Sequence, residues 1–234
     1  MATKKKSVVD KTRPAPRPPS ARNKSTKPVI LVTNDDGYMA PGIQNLVEAV
    51  KDLGKVVVVA PDKPQSGMGH AITIGQPLRL HKVNTFGDIE AYACTGTPVD
   101  CVKLAVDKVL HRKPDICVSG VNHGANHSIN VIYSGTMSAA VEAAIESIPS
   151  AGFSLLDFSI EADFSGARKY ARMVVEKMLS TKNGTAYSTE CKHSCHASQP
   201  AERFKDLPAG LCQIRRRFYR TSGSAWTDVL LAYR

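Results

Sequence analysis

Residues 29–37 read VILVTNDDG, and this run decides the fold class. Apolar residues of high strand propensity lead into an amide, two adjacent carboxylates and a glycine, which predicts a buried strand ending in an acidic turn. A helix is predicted directly afterwards, over 41–53. In parallel α/β sheets, ligands bind in the crevice at the carboxyl ends of the strands. Asp35 and Asp36 would repel each other there, so the simplest interpretation is a divalent-metal site.

Strand-like and helix-like segments alternate along the chain after this run. Continuous apolar strands are predicted at 55–61, 116–119 and 150–155, extended segments at 72–80 and 89–94, and helices at 98–110, 136–148 and 165–179. Strands without polar alternation, separated by helices, are typical of a parallel sheet covered on both faces. The sequence therefore predicts an α/β protein with a doubly wound sheet.

Charge divides the chain into three parts. The net charge of +10 comes from the two ends: residues 1–27 hold nine Lys or Arg and one acid, and residues 182–234 hold nine and four. Residues 28–181 hold thirteen basic and sixteen acidic side chains. We predict a disordered, basic, Pro-rich arm at 1–27, a catalytic α/β domain at 28–182 and an atypical, largely disordered tail at 183–234.

Composition also excludes several classes of protein. No apolar run reaches the roughly 18 residues that span a bilayer, and the N-terminus lacks the apolar core of a secretory signal. We therefore expect a cytoplasmic protein with no membrane partner. The mildly acidic core carries no basic stripe on a structured element, which argues against nucleic acid as a partner.

Two further loops carry candidate ligands. Ser66 and Gly67 follow the strand at 55–61, where backbone N–H groups and a hydroxyl can face an anion or a metal. Asn122 follows the strand at 116–119 and could give a neutral oxygen to a hard cation. Ordinary alternatives exist for both, because Gly and Ser are common in loops and Asn is common in left-handed turns.

The stretch Ser134, Gly135, Thr136 runs directly into a predicted helix. Hydroxyls and free N–H groups at a helix N-terminus form a cradle for phosphate. The alternative is a simple cap, with Thr136 as the N-cap. The stretch TGTPVD at 95–100 lies at a similar junction, and capping explains it fully.

Together these four loops bring two carboxylates, an amide, several hydroxyls and two candidate anion nests to one edge of the sheet. Ligands that are all oxygen atoms favour Mg²⁺, Mn²⁺ or Ca²⁺ over zinc. A metal beside a phosphate nest indicates hydrolysis of a phosphate ester.

Five segments within 28–180 resemble the SurE (survival protein E) family of 5′/3′-nucleotidases in order and spacing. They are ILVTNDDGYMAPGIQNL, VVVVAPDKPQSGMGHAIT, TGTPVDCVKLAV, PDICVSGVNHGAN and VIYSGTMSAAVEAAIESIPSAGFS. The resemblance implies a Rossmann-like, three-layer fold with a mostly parallel sheet. It also implies a hydrolase that converts a nucleoside monophosphate to a nucleoside and phosphate with one divalent ion, Mg²⁺ or Mn²⁺.

Site residues follow from the resemblance and from the loops together. The metal ligands fall on Asp35, Asp36, Ser66 and Asn122, and the catalytic residues on Asp35, Asp36 and Asn122. Contacts to the substrate phosphate are assigned to Ser66, Gly67, Ser134, Gly135 and Thr136. The metal would polarise the phosphoryl group and lower the pKa of a bound water.

The tail at 183–234 departs from the family, since it lacks the extended segment through which the family forms homo-oligomers. Its codons, shifted by one nucleotide, can encode a string that resembles the missing segment, and the single codon of Trp226 must then give the glycine of PRGR. We interpret the tail as a frameshift product beginning near Asn183, which would compromise oligomerisation. The alternative is a genuine variant tail, whose Cys191, His193, Cys195, His196 cluster is too cramped for a usual zinc site.

Two other functions remain open on sequence. One is a catalytically impaired nucleotide-binding remnant that lacks the oligomerisation segment. The other is a nucleic-acid-binding module using the basic ends, which would show binding that weakens steeply with salt.

Overall fold

The computed structural model describes residues 27–126, 128–159 and 161–180, together with the backbone of two strands at 212–218 and 227–233. Residues 1–26 of the predicted basic arm lie outside the described residues. So does the rest of the tail at 183–234, whose disorder stays a prediction.

Within the described residues one sheet has the strand order β3-β4-β2-β1-β5-β6-β8-β7. The strands are β1 (Val29–Thr33), β2 (Lys55–Pro61), β3 (Leu80–Val83), β4 (Glu90–Cys94), β5 (Ile116–His123), β6 (Ser150–Leu155), β7 (Cys212–Phe218) and β8 (Thr227–Tyr233). Pairing is parallel throughout, except that β3 and β7 lie antiparallel at the two edges. The predicted α/β fold with a mostly parallel sheet is confirmed.

Helices cover both faces of the sheet. They are α1 (Pro41–Val50), α2 (Pro98–Leu104), α3 (Gly135–Ile145) and α4 (Ser165–Ser180). Alternate residues of β1 enter opposite cores: Ile30 and Val32 pack with α1 and α4, whereas Leu31 packs with α2 and α3. A strand buried on both faces has no polar alternation, which explains the continuous apolar run from which it was predicted.

Several predicted boundaries differ from the structure. The segment predicted as extended at 72–80 contains strand only from Leu80 onward, and the helix predicted to reach residue 110 ends as an α-helix at Leu104 and continues as a π-helical stretch, Ala105–Leu110. β5 continues to His123, with an irregular register between Ser119 and Asn122. The strands β7 and β8 lie in the tail, where no strand was predicted, because its sequence has no long apolar period.

No described helix is long and apolar enough to cross a membrane. The cytoplasmic location stays a prediction.

α1 approaches the end of β5 through a glycine. A Cβ built on Gly42 would lie 1.9 Å from the backbone oxygen of Val121. Backbone cannot move aside as a flexible side chain can, so only glycine allows this helix to pack here. The contact sets the distance between the acidic turn after β1, which leads into α1, and the end of β5.

We expect Gly42→Ala to lower the free energy of unfolding by about 1–3 kcal/mol, since the added methyl group overpacks a backbone contact. Gly75→Ala is the matched control, because nothing lies within 4 Å of a Cβ there. Urea unfolding at 25 °C measures both variants. Equal stability of the two would show that α1 and β5 are not held at this separation.

Candidate functional site

Asp35 lies directly after β1 and is 4% exposed. Its backbone oxygen accepts a hydrogen bond of 2.7 Å from the backbone N–H of Gln65, in the loop after β2. This bond ties the acidic turn of one strand to the loop that follows its neighbour. The two loops therefore meet at the carboxyl edge of the sheet, as predicted.

The carboxylate of Asp35 contacts the N-terminus of α3. Thr136 donates its hydroxyl to Oδ1 of Asp35, and its backbone N–H also bonds to this carboxylate. A Cβ built on Gly135 would lie 2.6 Å from the Cβ of Asp35. Glycine before Thr136 thus lets the helix start come close enough to hold the acid.

Asp36 is held from the other side of the crevice. Its carboxylate accepts a hydrogen bond from the backbone N–H of His123, at the end of β5. Its second oxygen, Oδ2, is buried and has no hydrogen-bond partner among the described residues. The imidazole of His123 packs edge-on against the ring of Phe164, with ring centroids 4.8 Å apart.

Both acids have raised pKa values. Burial raises the pKa of Asp35 to about 6, with a smaller contribution from Asp36, against the lowering effect of the Thr136 hydrogen bonds. Burial also raises the pKa of Asp36, against the hydrogen bond from His123. Burying two neighbouring carboxylates is unfavourable unless a cation compensates them.

Asn122 lies near the end of β5, directly before His123. Its Nδ2 donates to the backbone oxygens of His123 and Gly124 at 2.9 and 3.0 Å. The nitrogen is therefore engaged, and the amide oxygen is the atom left to bind a cation.

Ser66 and Gly67 lie in the loop after β2 and are both exposed. Nothing lies within 4 Å of a Cβ built on Gly67, which has a φ of +76°. The backbone N–H of Gly69 donates to the backbone oxygen of Tyr133, just before α3. The loop is thus tied to Asp35 at Gln65 and to the start of α3 at Gly69.

The start of α3 differs from the prediction in one respect. Its N-cap is Ser134, whose Oγ accepts from the backbone N–H of Met137 at 3.1 Å, so the alternative with Thr136 as the cap is wrong. Thr136 is fully buried, and its hydroxyl donates a hydrogen bond to Oδ1 of Asp35. The cap at Thr97 is confirmed, with Asp100 completing a capping box.

Several oxygen atoms on the central strands and the acidic turn lack hydrogen-bond partners among the described residues, and one of them belongs to the predicted ligand Asp36. Four buried side-chain oxygens on β1, its acidic turn and β5 have no hydrogen-bond partner among the described residues: Thr33 Oγ1, Asn34 Oδ1, Asp36 Oδ2 and Ser119 Oγ. Buried polar atoms without partners are rare unless a ligand or water satisfies them. The donor set therefore fits a hard cation, although the described residues contain no group of three or more His, Cys, Asp or Glu suited to a metal.

Three polar side chains that contact one another were not singled out from the sequence. Glu142, on α3, is 3% exposed and contacts both His70 and Lys103. A glutamate inside the Ala-rich helix SAAVEAA was the available signal, because a charged residue on a buried helix face needs partners.

Comparison with known proteins identifies the family of the chain. The sequence model of one family, "Survival protein SurE", matches residues 30–218. The 5′-nucleotidase SurE of Christiangramia forsetii is 62% identical over 160 residues, which cover 68% of this chain and 61% of the relative. That of Flavobacterium johnsoniae is 61% identical over 160 residues, covering 68% and 62%.

A solved structure gives the same result. The crystal structure of the SurE protein from Aquifex aeolicus superposes with a TM-score of 0.61 and 32% identity, covering 88% of this chain and 83% of that one. The chain spans less than two thirds of the length of the curated relatives it matches. On the extent of these matches, the chain belongs to the SurE family.

Proposed function

We propose that the protein is a metal-dependent nucleotidase that hydrolyses nucleoside monophosphates, at the 5′ and the 3′ position, to a nucleoside and phosphate. The observation that carries the proposal is the pair of the buried Asp35 and the half-buried Asp36 at the carboxyl edge of the sheet, with Oδ2 of Asp36 buried and unpartnered among the described residues. The relatives at 61% and 62% identity are named 5′-nucleotidases, which supports the same reaction class.

The residues that would hold one Mg²⁺ or Mn²⁺ ion are Asp35, Asp36, Ser66 and Asn122. Two carboxylates, one hydroxyl and one amide form an all-oxygen set, as hard divalent cations prefer. When bound, the ion would act as a Lewis acid on the phosphoryl group and neutralise its developing charge.

The chain's own groups would bind and orient the phosphate. The N-terminus of α3 carries partial positive charge, and Ser134 and Gly135 lie there. Gly67 leaves its backbone open to approach from the opposite loop. Thr136 would orient Asp35 and not the phosphate, because its N–H and O–H groups both bond to that carboxylate.

A catalytically impaired nucleotide-binding remnant is not favoured, because every assigned site residue lies within the described α/β domain. Phosphate release from AMP and GMP with Mn²⁺, with and without EDTA, separates the two functions. Chelator-sensitive release supports the nucleotidase, whereas nucleotide binding without release supports the remnant. Parallel assays with 3′-AMP test the second regiochemistry.

We expect Asp35→Asn to reduce phosphate release by more than about 100-fold, because the ion loses a charged ligand. Metal-free stability should hold or rise slightly, since a buried charge beside a like charge is removed. Phosphate assays and thermal unfolding measure the two effects. Asp88→Asn, at an exposed turn, is the control, and retained turnover at limiting metal would contradict the assignment of Asp35.

Ser66→Ala and Asn122→Ala should weaken Mn²⁺ binding by about tenfold or less, because each removes only a neutral oxygen from the ion. Calorimetric titration with MnCl₂ compares them with Asp35→Asn, which should weaken it more. Asn84→Ala, in an exposed loop, is the control. Wild-type affinity in both variants would remove these loops from the metal site.

Thr136→Val tests whether this residue orients Asp35. We expect it to weaken Mn²⁺ binding by about tenfold, the cost of losing one hydrogen bond to a charged group. Thr136→Ser keeps the hydroxyl and should behave like the wild type. If valine instead raises only the Michaelis constant for AMP, Thr136 serves the phosphate and not Asp35.

A further inference from the structure

An ionic cluster around one buried carboxylate joins three elements: Glu142 is buried, whereas its partners His70 and Lys103 are partly exposed. Glu142 on α3 bonds through Oε2 to Nε2 of His70 at 2.8 Å and through Oε1 to Nζ of Lys103 on α2 at 2.6 Å. We call Glu142, His70 and Lys103 the Glu142 clamp, and residues 62–70 the site loop.

Glu142 is fixed and charged. Burial opposes its ionisation, but the bonds from His70 and Lys103 outweigh that cost, so the pKa of Glu142 lies below its usual value. Oε2 is hydrogen-bonded to His70, whereas Oε1 forms an ion pair with Lys103 but has no hydrogen-bond partner among the described residues. The buried carboxylate therefore links the loop that carries His70 to α2 and α3.

Helix α3 contacts both Asp35 and the site loop. Thr136, in its first turn, binds Asp35, and Glu142 lies about 9 Å further along the axis at 1.5 Å per residue. α3 thus fixes the acidic turn after β1 with its N-terminus and the site loop with its middle.

Backbone hydrogen bonds hold the site loop at Gln65 and Gly69, and the clamp adds a side-chain contact at His70. Gly67 and Gly69 both have positive φ, at +76° and +55°, and glycine loses the most conformational freedom on ordering. Ser66, Gly67 and His70 are all exposed, but the His70 ring bonds to the buried carboxylate of Glu142.

We propose that His70 and Glu142 are positioning residues that hold the site loop, and with it Ser66 and Gly67, against Asp35 and the start of α3. The inference rests on the proposed function only for the role of Ser66 as a metal ligand. The contacts of the clamp do not depend on that function. If the clamp only stabilised the fold, a buried apolar residue of similar volume at 142 would serve as well.

The test compares His70→Ala with wild type by amide hydrogen exchange of the peptide covering the site loop and by calorimetric titration with MnCl₂ alone. We expect the exchange rate in the site loop to rise about tenfold and the Mn²⁺ affinity to fall about tenfold. Each change corresponds to the loss of one charge-assisted hydrogen bond. Exchange in β1 and β5 should not change, because the ion pair between Glu142 and Lys103 remains and the core is intact. His70→Gln, which keeps a side-chain N–H donor, should restore both readouts.

His81→Ala, on the exposed β3, is the matched control and should leave both readouts unchanged. Unchanged exchange in the site loop of His70→Ala, or an equal rise throughout the protein, would overturn the proposal. Glu142→Gln, combined with His70→Ala, should add little to the effect of either change alone on loop exchange; additive effects would also overturn it. A wild-type protein that releases no phosphate would refute the proposed function but leave the exchange comparison valid.

Discussion

The hydrogen bonds between Asp35 and the first turn of α3 fix the position of the helix start relative to the acidic turn after β1. A carboxylate that is almost fully buried needs donors, and Thr136 supplies both its hydroxyl and its backbone N–H. Gly135 makes the close approach possible. Because α3 crosses from β5 to β6, this contact draws the helix start over the end of β1 and encloses the crevice between the central strands.

Parallel topology explains why separate loops converge on this point. β1 lies between β2 and β5, and all three run in the same direction, so the turns after them meet at one edge. Asp36 is held by β5, and the backbone of Asp35 is held by the loop after β2. Burial raises the pKa of both acids, and Asp36 adds to the rise at Asp35, so a cation at this edge would be favoured.

The Glu142 clamp extends the same logic to the opposite wall of the crevice. A loop with two left-handed glycines has little intrinsic rigidity, and the contact of His70 with the buried Glu142 is proposed to add to its two backbone bonds. Membership of the SurE family accounts for the shared core. The chain spans less than two thirds of the length of its curated relatives, and the phosphate-release assays test its catalysis directly.

The sequence by itself determined the α/β class and pointed to the edge of the sheet where the candidate site is proposed. Those conclusions depend on local signals: buried strands lack polar alternation, and Asp35, Asp36 and Asn122 follow such strands directly. Only the tertiary structure decided that Thr136 serves Asp35 and that His70 meets Glu142, since these partners lie 101 and 72 residues apart. Contacts at such separations depend on how helices pack across the sheet, and local sequence patterns do not encode that packing.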